Sequence, residues 1–502
     1  MPAPSDAEAS LPSPAPLPVV TRRADDATLG LTLLALTVAV TGGGRFVLWG
    51  HARLALTDPW RLLAAAAVVT AARHLWQRTP SIAEALPVRL RTLMSAAATR
   101  AALRTGVSTR VAVLLVGFFA VLTIGFPNGR PPSRFDDNEL VNLQGRWDAG
   151  WYLQIATDGY QHWTSNPATQ ENIVFFPALP LALRVVGRVL GGTLPAYMAA
   201  GTGLVFVAFV IGLAYLYRLA RESLGSAESA DAAVLLLAAY PFAVYYGAIY
   251  TESMYLAGAI GTWYHFRRRE WLPAAAWGVL VGLTRPNGCF LSIPLALLLV
   301  SPWLPGWLAG GQTLSMADPR PRRVASLVTG GTIDWREAAY GWLTAAAPGV
   351  GVLLFCAWTW WLTGDPIAWA RGHAAWGRSY LGLWPIIHTY GHWLSSEGLY
   401  TVTTHIPVDV LNLCGALFVL ALTVPVWRRL GLAAAAFILV NMLPPIAAGG
   451  ALSAGRLSAV MFPVFLWLAS AVPARQRPHW VAAFAVGQGL CATLFYTWRE
   501  LF

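Results

Sequence analysis

Apolar runs of about 20 residues recur from Leu29 to Thr497, each closed by a short polar or arginine-rich cluster. Segments of that length cross a hydrocarbon layer of roughly 30 Å as helices, because lipid offers no partner for open backbone groups. The short alternating segments of a membrane β-barrel are missing. The pattern therefore predicts an all-α fold, a polytopic transmembrane helical bundle with about 13 spans.

Residues 1–28 are rich in Pro, Ala, Ser and Asp and are expected to form a disordered tail. Residues 29–108 should hold two N-terminal spans, Leu29–Trp49 and Leu62–Trp76, followed by a basic cytoplasmic connection carrying Arg78, Arg89, Arg91, Arg100, Arg104 and Arg110. A main transmembrane domain then occupies 109–502, beginning with Val111–Phe126 and interrupted by long outer loops at 127–194 and 364–406. Within the first loop, Arg184 and Arg188 break the apolar stretch 177–192, which reads as a helix lying in the interface. That choice sends Pro195–Tyr217 inward and keeps Arg218 and Arg221 cytoplasmic, as the positive-inside bias requires. Ala232–Ile249 then runs outward, placing Tyr250-Thr251-Glu252-Ser253 at the outer edge.

Composition supports the membrane reading. The 502 residues are 56% hydrophobic and 12% charged, against about 25% charged in soluble domains. The net charge is +11, and all 35 basic residues are arginine. They punctuate apolar runs instead of forming one basic face, so nucleic acid is not an expected partner. Arginine without lysine, with abundant Ala and Gly, suggests a GC-rich bacterial genome and an integral protein of the bacterial cell (inner) membrane. Cys289, Cys356, Cys414 and Cys491 lie in apolar stretches without metal-ligand spacing and read as small buried hydrophobes.

No GxGxxG, Walker A, GxSxG or HExxH motif occurs, so a soluble nucleotide donor has no visible phosphate cradle. The sequence points to no cofactor. A divalent cation held by scattered carboxylates would leave no regular spacing and stays open. What the chain does offer is polar chemistry gathered on one side: Asp136, Asp137, Glu139, Asp148, Asp158, Glu252, Arg285 and Arg456. A carboxylate there suits a general base for an acceptor hydroxyl. Outer arginines suit a phosphate. Asp148 stands in Arg146-Trp147-Asp148-Ala149-Gly150-Trp151-Tyr152, and Tyr152 would share its helical face. Trp147 and Trp151 flank it. The plain alternative for Asp148 is a loop carboxylate paired with Arg146; for Glu252, a capping residue at a helix start; for Arg285 and Arg456, snorkelling surface cations.

Taken in order, these pieces resemble the PIG-V family, the GPI mannosyltransferase II-like membrane enzymes of the GT-C fold. The resemblance rests on Arg146-Trp147-Asp148 with Ile155-Ala156 and Gly159-Tyr160, Phe175-Phe176-Pro177, Tyr240-Pro241, Tyr250-Thr251-Glu252-Ser253, Thr284-Arg285-Pro286-Asn287-Gly288, and Arg456 before Phe462-Pro463. It implies an inverting glycosyltransferase outside the cytoplasm, drawing a hexose, usually mannose, from a polyprenyl-phosphate carrier. The acceptor would be a glycolipid, glycan or protein, and membrane lipids the surroundings. Asp148 would be the base, with Glu252 a second carboxylate. Arg146, Trp147, Trp151, Tyr152, Arg285, Asn287 and Arg456 would bind substrate. The competing reading is a transporter or flippase of lipid-linked sugars, which would show internal symmetry and charges near mid-span. A scaffold would leave the outer acids and arginines unexplained.

Overall fold

The computed structural model describes residues 18–48, 52–129, 131, 133–161, 169–311, 314, 328–329, 332–333 and 335–501. Most of the expected tail, residues 1–17, and most of the basic loop at 305–337 lie outside them. The described residues are helical nearly throughout; the described strands form two short hairpins. Among the described residues, seven helices are long and apolar enough to cross a membrane, eight if one bent pair is a single span. The other segments behind the expected thirteen form shorter or less apolar helices, Trp271–Thr284 and Phe462–Ala471 among them.

The chain divides into two compact units. The first contains 1–95 and 188–192. Its first helix, Val19–Thr41, starts well before Leu29 and ends before Trp49. Gly42 takes the left-handed conformation (φ 76°) that closes a helix, and a hairpin of Gly44–Leu48 with Ala52–Leu56 follows. The next helix, Pro59–Trp76, is capped by Asp58, which accepts from the Trp60 amide. Arg73 and Asp25 form a fully buried ion pair at 2.8 Å inside this unit.

The second unit, 96–187 with 193–502, carries the candidate chemistry. Its boundary falls before the expected residue 109, because Ala97–Thr123 is one continuous helix. Arg110 therefore belongs to a span and not to a solvated connection, and it is only 5% exposed. Its task is set by a bend. The expected outward helix Ala232–Ile249 stops at Ala239, because Pro241 cannot continue it and restricts Tyr240 before it. The chain turns by 82° into the tight helical segment Pro241–Gly247. Carbonyls freed by the turn need partners in an apolar interior. Arg110 donates to the Ala243 carbonyl at 2.5 Å and to the Ala238 carbonyl at 3.1 Å. Gln488 donates to Ala238 and Tyr240 at 3.0 and 3.1 Å. The buried loop so fixed carries Tyr245, Tyr246 and Tyr250.

The loop 127–194 folds into short helices, including Ala149–Asp158 and Ala178–Val189. At 12 residues the second is about 18 Å long, too short to cross the hydrocarbon core. Helix Ala149–Asp158 ends at Gly159 (φ 92°), whose amide donates to the Ile155 carbonyl. The loop 364–406 is also mostly helical, with Ala368–Gly372 and a 23-residue helix Leu383–His405 broken at Gly398. Helices Trp271–Thr284 and Trp335–Thr363 approach closely where a side chain on Gly282 would strike the Pro348 carbonyl at 2.0 Å. Of the cysteines, Cys491 is buried, Cys289 and Cys356 are half-buried, and Cys414 is exposed on its helix, so the buried reading fits only the first.

Candidate active site

Four charged residues from distant segments meet in the second unit. Asp148 opens helix Ala149–Asp158, Glu252 opens Glu252–Arg267, Arg285 follows the end of Trp271–Thr284, and Arg456 lies in the short helix Ala454–Ala459. Arg456 bridges both acids: its Nη1 lies 2.7 Å from Asp148 Oδ2, and its Nε donates to Glu252 Oε1. Arg285 Nη2 reaches the same Glu252 oxygen at 3.0 Å and donates to Thr251 Oγ1 at 3.0 Å. Two acids and two arginines thus balance in charge.

Their surroundings are aromatic. The Arg456 guanidinium lies 4.4 Å from the Tyr250 ring centre and 5.5 Å from that of Tyr245. Arg285 lies 4.8 Å over Tyr255. The Asp148 amide donates to the Tyr250 hydroxyl at 3.0 Å, tying the acid to the buried loop. Burial pushes the Tyr152 phenol up to about 12, with Arg456 working against the shift and Asp148 and Glu252 reinforcing it. Tyr152 therefore faces the same charges as a neutral hydroxyl. Asn287 stands deeper, donating to Asn441 Oδ1 at 2.9 Å; Tyr255 donates to the same oxygen at 2.7 Å.

The two acids are not equivalent. The Glu252 side chain is wholly buried, and its Oε2 has no hydrogen-bond partner among the described residues. The Asp148 side chain is 19% exposed. Of the two, only Asp148 can meet a molecule arriving from outside. Arg285 is 9% exposed and braces Glu252, so neither Arg285 nor Arg456 is a lone snorkelling cation.

Arg146 and Trp147 do not join this cluster. Arg146 is 1% exposed, pairs with Glu139, and donates through Nε to the Tyr496 carbonyl at 2.9 Å. The alternative pairing of Asp148 with Arg146 is thereby overturned: Glu139, seven residues back, holds that arginine. Trp147 donates to the Phe495 carbonyl at 3.2 Å and packs against Trp498 with ring centres 4.8 Å apart. Both clamp the site loop to the end of helix Arg477–Tyr496. Trp147 also takes a left-handed φ of 54°, an uncommon state for a bulky residue, immediately before Asp148. Ser453, three residues before Arg456, does the same at 61°.

Trp151 stacks on Phe175 with centres 5.8 Å apart and meets Trp376 edge-on at 5.4 Å. This contact brings the 364–406 segment to the site. That segment supplies Arg378, which sequence reasoning missed; its Nη2 donates to Ser453 Oγ at 3.0 Å. The available signal was an arginine in a loop expected to lie outside, against the topological bias. Tyr245 was missed, and Tyr250 was quoted only within its motif and given no role, because nothing in their spacing shows that the chain bends at Pro241. Among the described residues, no group of three or more His, Cys, Asp or Glu could hold a metal ion. The Asp148–Glu252 pair is already bridged by Arg456, a poor fit for a divalent cation.

No curated protein matches the chain. Among solved structures, it is similar to a crystal structure of the Archaeoglobus fulgidus oligosaccharyltransferase, tethered by a disulfide bond to an acceptor peptide containing the NVT sequon. The identity is 12% and the TM-score 0.35, with 78% of this chain and 55% of that one covered, so this chain spans about half that protein's length. A family model described as mannosyltransferase (PIG-V) matches residues 133–295. Over that segment, which carries Asp148, Glu252 and Arg285, the chain is similar to the mannosyltransferase (PIG-V) family.

Proposed function

We propose that this protein is an integral membrane glycosyltransferase of the GT-C type. It moves a hexose, mannose in the simplest case, from a polyprenyl-phosphate carrier to a lipid, glycan or protein acceptor at the non-cytoplasmic face. The observation that carries this reading is the pairing of one accessible carboxylate, Asp148, with a buried charge frame of Glu252, Arg285 and Arg456. The match of residues 133–295 to a mannosyltransferase family model supports the sugar class.

The reaction is a single displacement. An acceptor hydroxyl attacks the anomeric carbon from the face opposite the carrier. Its O–H proton passes to Asp148, while the bond from the anomeric carbon to the phosphate oxygen breaks and the carrier leaves as a phosphate monoester. Configuration inverts. Asp148 serves as the base because one oxygen is anchored on Arg456, which fixes its direction, and Oδ1 makes no hydrogen bond among the described residues. Glu252 touches no substrate in this account; it is a positioning residue that holds Arg456 and Arg285. Tyr152 keeps its proton and can donate to the sugar. Trp151 offers a flat apolar edge.

The test is incubation of purified protein with radiolabelled polyprenyl-phosphomannose and native membranes, followed by identification of the labelled product. A new glycosidic product supports the reading. Labelled carrier moved across vesicles with no such product would favour the flippase and defeat it.

A further inference from the structure

The four-residue cluster is neutral, yet the proposed reaction releases a phosphate whose charge grows. A diester carries about one negative charge and the departing monoester about −1.5 to −2. Arg456 and Arg285 are already committed to acids, so neither supplies the added positive charge. Arg378 is a third guanidinium at the same place. Its side chain lies against Gly449, where an added Cβ would meet Nη1 at 3.1 Å, and it donates to Ser453, the left-handed residue that launches the Arg456 helix. Among the described residues no carboxylate pairs with it at ion-pair distance; its side-chain partner is the neutral Ser453 hydroxyl. Burial lowers its affinity for the proton, the nearby Arg456 lowers it further, and Asp148 opposes both. Its neighbours Gly377 and Ser379 line a cavity of about 290 Å³ with Tyr390, Trp393 and Asp409. A guanidinium has five N–H donors in a planar fork. A mostly buried one without a counter-ion is costly unless an anion arrives.

We propose that Arg378 is the phosphate-binding residue of the site, gripping the carrier phosphate and stabilising the charge it gains as the glycosidic bond breaks. This rests on the glycosyltransferase reading above. Because the anion is more negative after bond cleavage than before, Arg378 acts more on turnover than on donor binding. The unlabelled carrier, polyprenyl monophosphate, should bind there as an inhibitor.

The experiment uses full-length protein in nanodiscs and measures both mannose transfer and inhibition by polyprenyl monophosphate. Replacing Arg378 with Gln (R378Q) should lower kcat by about 100-fold and raise the inhibition constant by at least tenfold. R378K keeps the charge without the fork and should fall between the two. If R378Q proves unfolded by its melting curve, R378K alone decides. D148N should lose transfer but retain the inhibition constant, separating the base from the phosphate grip. Wild-type inhibition in R378Q, or in R378K where R378Q does not fold, would overturn the assignment and leave the glycosyltransferase reading standing. Failure of the wild type itself to bind polyprenyl monophosphate would overturn both.

Discussion

Arg456 Nη1 lies 2.7 Å from Asp148 Oδ2, although 308 residues separate them in the chain. The same guanidinium holds the buried Glu252. One arginine therefore anchors the partly exposed acid and neutralises the wholly buried one. Removing one partner of a buried pair leaves an uncompensated charge. Arg456→Met should therefore destabilise the protein by about 3–5 kcal/mol and abolish transfer. A thermal melt in detergent reads the first effect. A melting temperature equal to wild type would show that Glu252 does not depend on Arg456.

Glu252→Ala is expected to destabilise by a similar amount, about 3–5 kcal/mol, because two arginines lose their common partner. Glu252→Gln keeps the shape and should cost less. If Glu252 instead contacted substrate directly, Gln would remove transfer while leaving the melt untouched, and the two measurements together separate the roles.

The tight bend at Pro241 depends on Arg110, which serves the Ala238 and Ala243 carbonyls. Arg110→Met should cost about 1–3 kcal/mol by stranding them. It should also lower transfer without touching substrate, since the bend positions Tyr250 beneath Asp148. Transfer and melting temperature are the readouts. Unchanged values for both would mean that other groups satisfy the bend.

Trp147 anchors the site loop to Phe495 and Trp498. Trp147→Ala should reduce stability by about 2–3 kcal/mol while leaving the donor KM unchanged at temperatures where the variant stays folded. A large rise in KM without destabilisation would return Trp147 to the substrate-binding set.

Burial holds the His373 imidazole below its usual value, the Trp369 carbonyl contact opposing and Arg378 adding to the shift. A histidine that folds neutral binds fewer protons than in the unfolded chain. Its contribution is therefore full above the ordinary value of 6.5 and lost as pH falls below it. The melting temperature should drop between neutral and mildly acidic pH, and His373→Gln should flatten that slope.

The charged residues of the candidate site were legible because carboxylates, and arginines expected on the outer side, are conspicuous in an apolar chain. Asp148, Glu252, Arg285 and Arg456 were each identifiable this way, and the structure brings them together. Their division of labour was not legible. Arg146 and Trp147 adjoin Asp148 in sequence, yet bond to carbonyls about 350 residues away. Helix periodicity does not report such long-range partners. The helical fold was equally clear, but bends were not: hydropathy is blind to the turn at Pro241, and a triple glycine stopped the first helix before its apolar run ended. Arg378 escaped notice because a lone loop arginine looks like any other until Ser453 and Gly449 are seen beside it.

In the proposed reaction Asp148 takes the acceptor proton, and this step can be measured alone. The decisive measurement is single-turnover transfer from labelled polyprenyl-phosphomannose with purified wild type and Asp148→Asn at matched folded concentration. A loss of at least about 1000-fold is expected in the variant, with a melting temperature near wild type. Transfer within a few-fold of wild type would contradict it.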